Sequence, residues 1–198
     1  MTIIYSHKPL KNREPSDFYP TPIELCVAAL QVHPVVHQSC LDVGAGDGVW
    51  GDAFSRVYSR GLSHLTGIDV REDAKGSSFY DEWILQDFME YQGRHDFIFG
   101  NIPFRYANEF IQHSLDLLTD SGIILYLLRS AISESKKRYD MFYNNGHKPL
   151  FEYQSVRRIS FTGNKKSDNT AYSIFIWEKK KNFGRETIKR WLDWEYDK

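Results

Sequence analysis

Cysteine is nearly absent from this sequence: Cys26 and Cys40 are the two among 198 residues. Two thiols cannot build a disulfide framework, which points to a reducing compartment, the cytoplasm. Long apolar runs are missing too. The longest, Ile123 to Leu128, falls far short of the about 20 residues that cross a bilayer. Met1 to Leu10 lacks the apolar stretch of a signal peptide, so none is expected. His7, His33, His37, His64, His95, His113 and His147 stand at no metal-ligand spacing with the cysteines, and no metal is expected. There are no internal repeats, no low-complexity tracts and no strong net charge, the formal value being −1.

What is present suits one folded α/β domain over 1–198: 41% hydrophobic and 26% charged residues. The small net charge hides an asymmetry. Residues 1–100 carry 8 Lys/Arg against 14 Asp/Glu, whereas 101–198 carry 17 against 12. Within 129–167 the count is 9 against 3, a face suited to phosphate.

Residues 1–20 read as an extended arm. Thr21-Pro22-Ile23-Glu24 carries three helix-start signals: Thr as N-cap, Pro at the first helical position and Glu closing a capping box. That helix is predicted to run to about Val32. Short apolar strands follow at Cys40–Val43, His64–Asp69, Trp83–Leu85, Phe97–Phe99 and Ile123–Leu128, with helices from Gly48 to about Tyr58 and from Ala107 to Leu118. Asp120-Ser121-Gly122 reads as a break. Alternating short strands and helices predict a parallel, doubly wound sheet. Beyond Leu128, Ala131 to Asn145 is polar with helical character, and Tyr153–Phe161 and Ala171–Glu178 alternate as strands. Arg185 to Tyr196 reads as a closing amphipathic helix through Ile188, Trp191 and Leu192.

Four constellations carry chemistry. The first is Asp42-Val43-Gly44-Ala45-Gly46-Asp47-Gly48, a glycine turn between a strand and a helix, where the backbone can approach a ligand closely. Its Gly-x-Gly-x-Gly spacing differs from the Gly-x-Gly-x-x-Gly that cradles a dinucleotide pyrophosphate. Asp42, just before it, suits a cationic amino-acid moiety better than a pyrophosphate. The second is Asp69-Val70, where a carboxylate ending the second strand can accept hydrogen bonds from ribose hydroxyls. The third, Asp87-Phe88, could hold a purine by hydrogen bond and stacking. The fourth is Asn101-Ile102-Pro103-Phe104, directly after an apolar strand. An exocyclic purine amine is a poor nucleophile because its lone pair is delocalised. Accepting hydrogen bonds from both amine hydrogens, by the Asn101 side-chain oxygen and the Ile102 carbonyl, exposes that lone pair. Pro103 stiffens the turn, and Phe104 offers a face on which an extruded base can stack.

In this order the motifs resemble those of the S-adenosyl-L-methionine-dependent amino-methyltransferases that modify adenine N6, in particular the small, often phage-encoded DNA enzymes. The resemblance spans nearly the whole chain. It implies a Rossmann-like class I methyltransferase fold with a mostly parallel seven-stranded sheet and an antiparallel last strand. Asp42, Gly44, Ala45, Gly46 and Gly48 match the family's cofactor loop, Asp69 with Val70 its ribose acid, and Asp87-Phe88 its adenine contact. Asn101 to Phe104 match its catalytic (Asn/Asp)-Pro-Pro-(Tyr/Phe) motif. Tyr19-Pro20-Thr21-Pro22 is similar to the element that contacts the methionine part of the cofactor. Arg158 to Trp177 resembles the family's ending, whose loop walls the target-base pocket. Ile102 departs from the usual proline and resembles ribosomal RNA adenine dimethylases, so RNA stands as the alternative to DNA.

The expectation is direct methyl transfer to N6, with S-adenosyl-L-homocysteine as product and no covalent enzyme intermediate. Arg129, Lys136, Lys137, Arg138, Arg157, Arg158, Lys165 and Lys166 are expected to hold phosphates, with binding that weakens steeply with salt. No separate target-recognition domain is expected. A glutamine-amide methyltransferase, an inactive binding subunit and a nicotinamide oxidoreductase are the competing readings.

Overall fold

The structure is a computed structural model and describes residues 20–33, 37–58, 61–161, 169–181, 183–184 and 186–195. The expectations for Tyr19, Lys165 and Lys166 fall outside these residues.

One eight-stranded sheet organises the chain, in the order β3-β2-β1-β4-β5-β7-β6-β8. The strands are β1 (Ser39–Val43), β2 (His64–Asp69), β3 (Glu82–Leu85), β4 (His95–Gly100), β5 (Leu118–Arg129), β6 (Phe151–Ser155), β7 (Tyr172–Glu178) and β8 (Ile188–Leu192). The first five run parallel. β7 enters antiparallel between β5 and β6. The helices are α1 (Ile23–Gln31), α2 (Val49–Val57), α3 (Ala107–Leu117) and α4 (Lys136–Tyr139). The doubly wound α/β expectation therefore holds, with one strand more than the seven expected.

Both faces of the sheet are covered, which is why β1, β4 and β5 read as continuous apolar runs rather than alternating ones. On one face α1 and α2 pack Leu25, Leu30, Trp50 and Phe54 against Phe97, Phe99 and Leu125. On the other, α3 packs Phe110, Ile111 and Leu115 against Ile98, Ile124 and Tyr126. Among the described residues no helix is long and apolar enough to cross a membrane.

Three local expectations are corrected. The predicted helix over Arg185–Tyr196 contains instead the edge strand β8, parallel to β6. The residues that made the helical pattern, Ile188 and Trp191, are exposed, whereas Leu192 and Trp194, two apart, are buried. Backbone bonds from Ile188 to Leu150 and from Val156 to Leu192, with Trp194 Nε1 donating to Ser155, fix the strand on an otherwise open edge. The predicted break at Asp120–Gly122 is a register irregularity within β5, opposite His95 and Phe97. Finally, α1 begins after Pro22 with no side-chain cap. The Thr21 hydroxyl, expected to cap it, is engaged elsewhere.

Candidate active site

The site lies at the carboxyl ends of β1, β2 and β4. There the chain must turn sharply three times within contact distance. Gly44, Gly46 and Gly48 all take the left-handed region, at φ 71°, 54° and 83°. Without side chains, the turn after β1 can close on the neighbouring strand. The amides of Gly44 and Ala45 both donate to the Ile68 carbonyl, at 2.9 and 3.1 Å. Gly100, at φ 144°, ends β4, and a Cβ there would sit 2.6 Å from the Val43 carbonyl oxygen. A Cβ on Gly44 would lie 3.9 Å from the Asn101 carbonyl oxygen. The glycine turn and the Asn101–Phe104 turn are therefore neighbours.

Asp42 ends wholly buried beneath these turns. Its Oδ2 accepts from the Tyr80 hydroxyl at 2.6 Å. Its Oδ1 has no hydrogen-bond partner among the described residues. Burial drives its pKa from 3.8 up to about 7, Asp69 adds to the rise, and the Tyr80 hydrogen bond opposes it. Burial likewise raises the Tyr80 hydroxyl and the Cys26 thiol beside this carboxyl.

Tyr80 was not legible as a site residue. Its ring occupies space that two glycines vacate: a Cβ on Gly51 or Gly67 would approach ring atoms to 2.7 or 2.8 Å. The segment that leads to it closes over the glycine turn. The Gly76 amide donates to the Gly46 carbonyl at 3.1 Å, and a Cβ on Gly76 would meet the Gly48 amide nitrogen at 2.6 Å.

Asp69 is buried, and its carboxylate ties this turn together. Oδ2 accepts from the Gly46 amide and Oδ1 from the Arg71 amide, each at 2.8 Å. Beside it Val70 is exposed. Asp87 Oδ1 accepts from the Met89 amide at 3.0 Å and so caps a one-turn 3₁₀ helix. The Phe88 ring turns into the core against Phe110 and His113, with centroids 5.1 and 4.9 Å away. It does not stand open for stacking on a purine.

Asn101 sits at the mouth of β4. Its Nδ2 donates to the Thr21 hydroxyl at 3.0 Å, a contact 80 positions apart in sequence. That contact turns Oδ1, the acceptor end, the other way. Ile102 is 1% exposed and anchors the turn in the core. Pro103 and Phe104 follow it into a 3₁₀ turn (Phe104–Tyr106). The Phe104 ring meets Tyr172 at 5.5 Å, and Tyr172 meets Phe161 edge-on at 5.0 Å. The Arg129 guanidinium lies 5.4 Å from the Phe104 centroid. Three aromatic rings from three segments thus meet at Phe104, three residues beyond Asn101.

The basic residues divide. Lys136 pairs with Asp140 and Lys137 with Glu109, each at 3.0 Å. Arg157 pairs with Glu195 at 2.7 Å and Asp193 at 3.8 Å. Arg158 donates to the Asn169 carbonyl. Arg129 and Arg138 form no salt bridge among the described residues. Nor does Arg105, which no local sequence pattern marks.

No family model matches the chain, and no curated protein matches it. Solved structures do. A candidate class I S-adenosylmethionine-dependent methyltransferase from Listeria monocytogenes superposes with TM-score 0.68 at 16% identity, covering 92% of this chain and 68% of that one. A candidate RNA methyltransferase from Pyrococcus horikoshii gives 0.64 at 17%, covering 87% and 92%. A modification subunit of a candidate type I restriction enzyme from Vibrio vulnificus gives 0.62 at 13%, covering 84% of this chain and 45% of that one. The chain therefore shares the Rossmann-like fold of these class I methyltransferase structures.

Proposed function

We propose that the protein is an S-adenosyl-L-methionine-dependent methyltransferase that modifies adenine N6 in DNA. The observation that carries this reading is the Asn101 side chain, held by Thr21 at the end of β4 beside the glycine turn, with the Phe104 ring following in the same turn.

The chain's own residues fit the cofactor. Three positive-φ glycines let main chain approach a ligand at the strands' carboxyl ends. Asp42 buries an oxygen with no partner, an acceptor matched to a cationic amino-acid end. Asp69 and Asp87 stand at the ends of β2 and β3, where an acid meets ribose and adenine in this fold. When bound, the cofactor supplies a methyl carbon activated by a sulfonium, and S-adenosyl-L-homocysteine is the product.

The residues then act on the acceptor. Asn101 Oδ1 and the Ile102 carbonyl accept hydrogen bonds from the two N6 hydrogens. This draws the nitrogen lone pair out of conjugation and toward the methyl donor. Phe104, with Tyr172 and Phe161 around it, stacks the extruded base and excludes water. Positioning accounts for most of the acceleration, because the acceptor nitrogen needs orientation rather than a strong base. The proton leaves to water once N6 carries the methyl group.

The DNA reading is supported by Phe161 and Tyr172, which pack behind Phe104 and fall in the segment similar to the ending of the small DNA enzymes. Ile102 favours one second reading, RNA adenine N6, because it matches the apolar second position of the ribosomal RNA enzymes. Asn101→Ala tests the shared mechanism. Methyl transfer should be lost while cofactor affinity stays within roughly tenfold, or about 1.4 kcal/mol. Full activity in that variant removes Asn101 from the chemistry.

A further inference from the structure

Beside the aromatic shelf is a cleft of about 340 Å3, bounded by Phe104, Arg105, Leu128, Arg129, Ile132 and Arg138 among others. Its volume is at the lower end of pockets that hold small ligands, about 300–1,000 Å3. Three separate elements bring the arginines together: the turn after Pro103, the end of β5 and α4. No carboxylate lines the cleft. None of the three guanidinium groups has a salt bridge among the described residues, whereas Arg56, Arg71 and Arg157 each pair with a carboxylate. Arg138 is half-buried, donates Nε to Asn108 at 3.1 Å, and is kept from ordinary hydration by its surroundings.

Three cations meet around one hollow that no carboxylate lines, Arg105 and Arg129 exposed and Arg138 half-buried with Glu109 in electrostatic reach. An anion between them offsets their mutual repulsion, and a phosphate offers the oxygens that guanidinium forks match. Position selects which phosphate. Arg129 spans both places, with its guanidinium over the Phe104 ring and its side chain on the cleft wall.

We propose that the Arg105–Arg129–Arg138 cleft is a phosphate-binding subsite, which takes the phosphate attached to the nucleotide whose base lies on Phe104. This rests on the acceptor reading of Asn101 to Phe104. The consequence is that the enzyme recognises a nucleotide, not a nucleoside: one phosphate is gripped next to the target base, while Lys136, Lys137 and Arg157 stay with their carboxylates.

The test follows the arginine Nε–Hε resonances of the full chain during titration with 5′-AMP, adenosine and a dinucleotide phosphodiester. We expect 5′-AMP or the diester to shift Arg105, Arg129 and Arg138 and adenosine to leave them unmoved. Whichever of the two phosphate ligands binds tighter identifies the source as a free nucleotide or a nucleic-acid strand. Arg105→Gln and Arg138→Gln should each weaken that binding about tenfold. Lys180→Gln, an exposed charge beyond the other end of β7, should leave it unchanged. Equal responses to adenosine and 5′-AMP, or wild-type affinity in both arginine variants, overturn the proposal. Methyl transfer to oligonucleotide, measured on the same samples, separates the two claims. Transfer with silent cleft arginines defeats the subsite alone. Shifting cleft arginines with no N6-methyladenine formed defeats the acceptor reading and leaves an anion site.

Discussion

Replacing Asp42 with asparagine should change how stability depends on pH, and the sign is fixed by burial. In the unfolded chain the carboxyl ionises near its ordinary 3.8; in the fold it does so near 7. Between those values the folded state holds a proton that the unfolded state has released. Stability due to this group therefore falls as pH rises from about 4 to about 7 and levels off above. A rise from 3.8 to about 7 corresponds to about 4 kcal/mol. Asp42→Asn keeps the shape and an acceptor for the Tyr80 hydroxyl but cannot ionise. Urea midpoints of the cofactor-free proteins at pH 4.5, 6 and 8 provide the assay. The variant should gain on the wild type across this series, by about 3 kcal/mol between pH 4.5 and pH 8. His33 and His95, whose pKa values burial pushes down to about 4, titrate in both proteins and cancel in the comparison. Parallel stability curves for the two proteins would refute the assignment of a strained, ionisable Asp42.

Three further outcomes follow from the same geometry. Thr21→Val removes the hydroxyl that holds Asn101 Nδ2; methyl transfer should fall by about tenfold to a hundredfold, with cofactor affinity little changed, as one charge-neutral positioning bond is lost. Gly76→Ala forces a Cβ to within 2.8 Å of Gly46 and Gly48 backbone atoms; thermal unfolding should show a loss of about 2 kcal/mol or more. Salt dependence separates a broad basic face from the three-arginine cleft. A logarithmic plot of oligonucleotide affinity against salt should have a slope of about −2 to −3, rather than the about −6 to −7 that eight released counterions would give.

The parts of the site that sequence reveals are those encoded in one short stretch. Gly44, Gly46 and Gly48 announce a turn because few residues tolerate their backbone angles. Asn101 to Phe104 stand out because a strand ends at Gly100 and the acceptor chemistry needs that amide. What sequence hides is assembled from distant positions. Tyr80 reaches Asp42 across 38 residues and fills space left by Gly51 and Gly67, so no local pattern marks it. Thr21 carries every local sign of a helix cap, yet tertiary contact with Asn101 takes its hydroxyl. Trp191 and Leu192 fit a helical stripe in sequence, and the open edge of β6 draws that segment into a strand. Arg105 gains meaning only when the end of β5 and α4 bring Arg129 and Arg138 beside it.

The central claim is a reaction, and its product can be identified. The protein is incubated with S-adenosyl-L-methionine labelled in the methyl group and with DNA and RNA in parallel, followed by enzymatic digestion to nucleosides. The label should appear in N6-methyldeoxyadenosine from the DNA arm, and disappear with Asn101→Ala. Label in 5-methylcytosine, in protein glutamine, or in no acceptor at all would contradict the account.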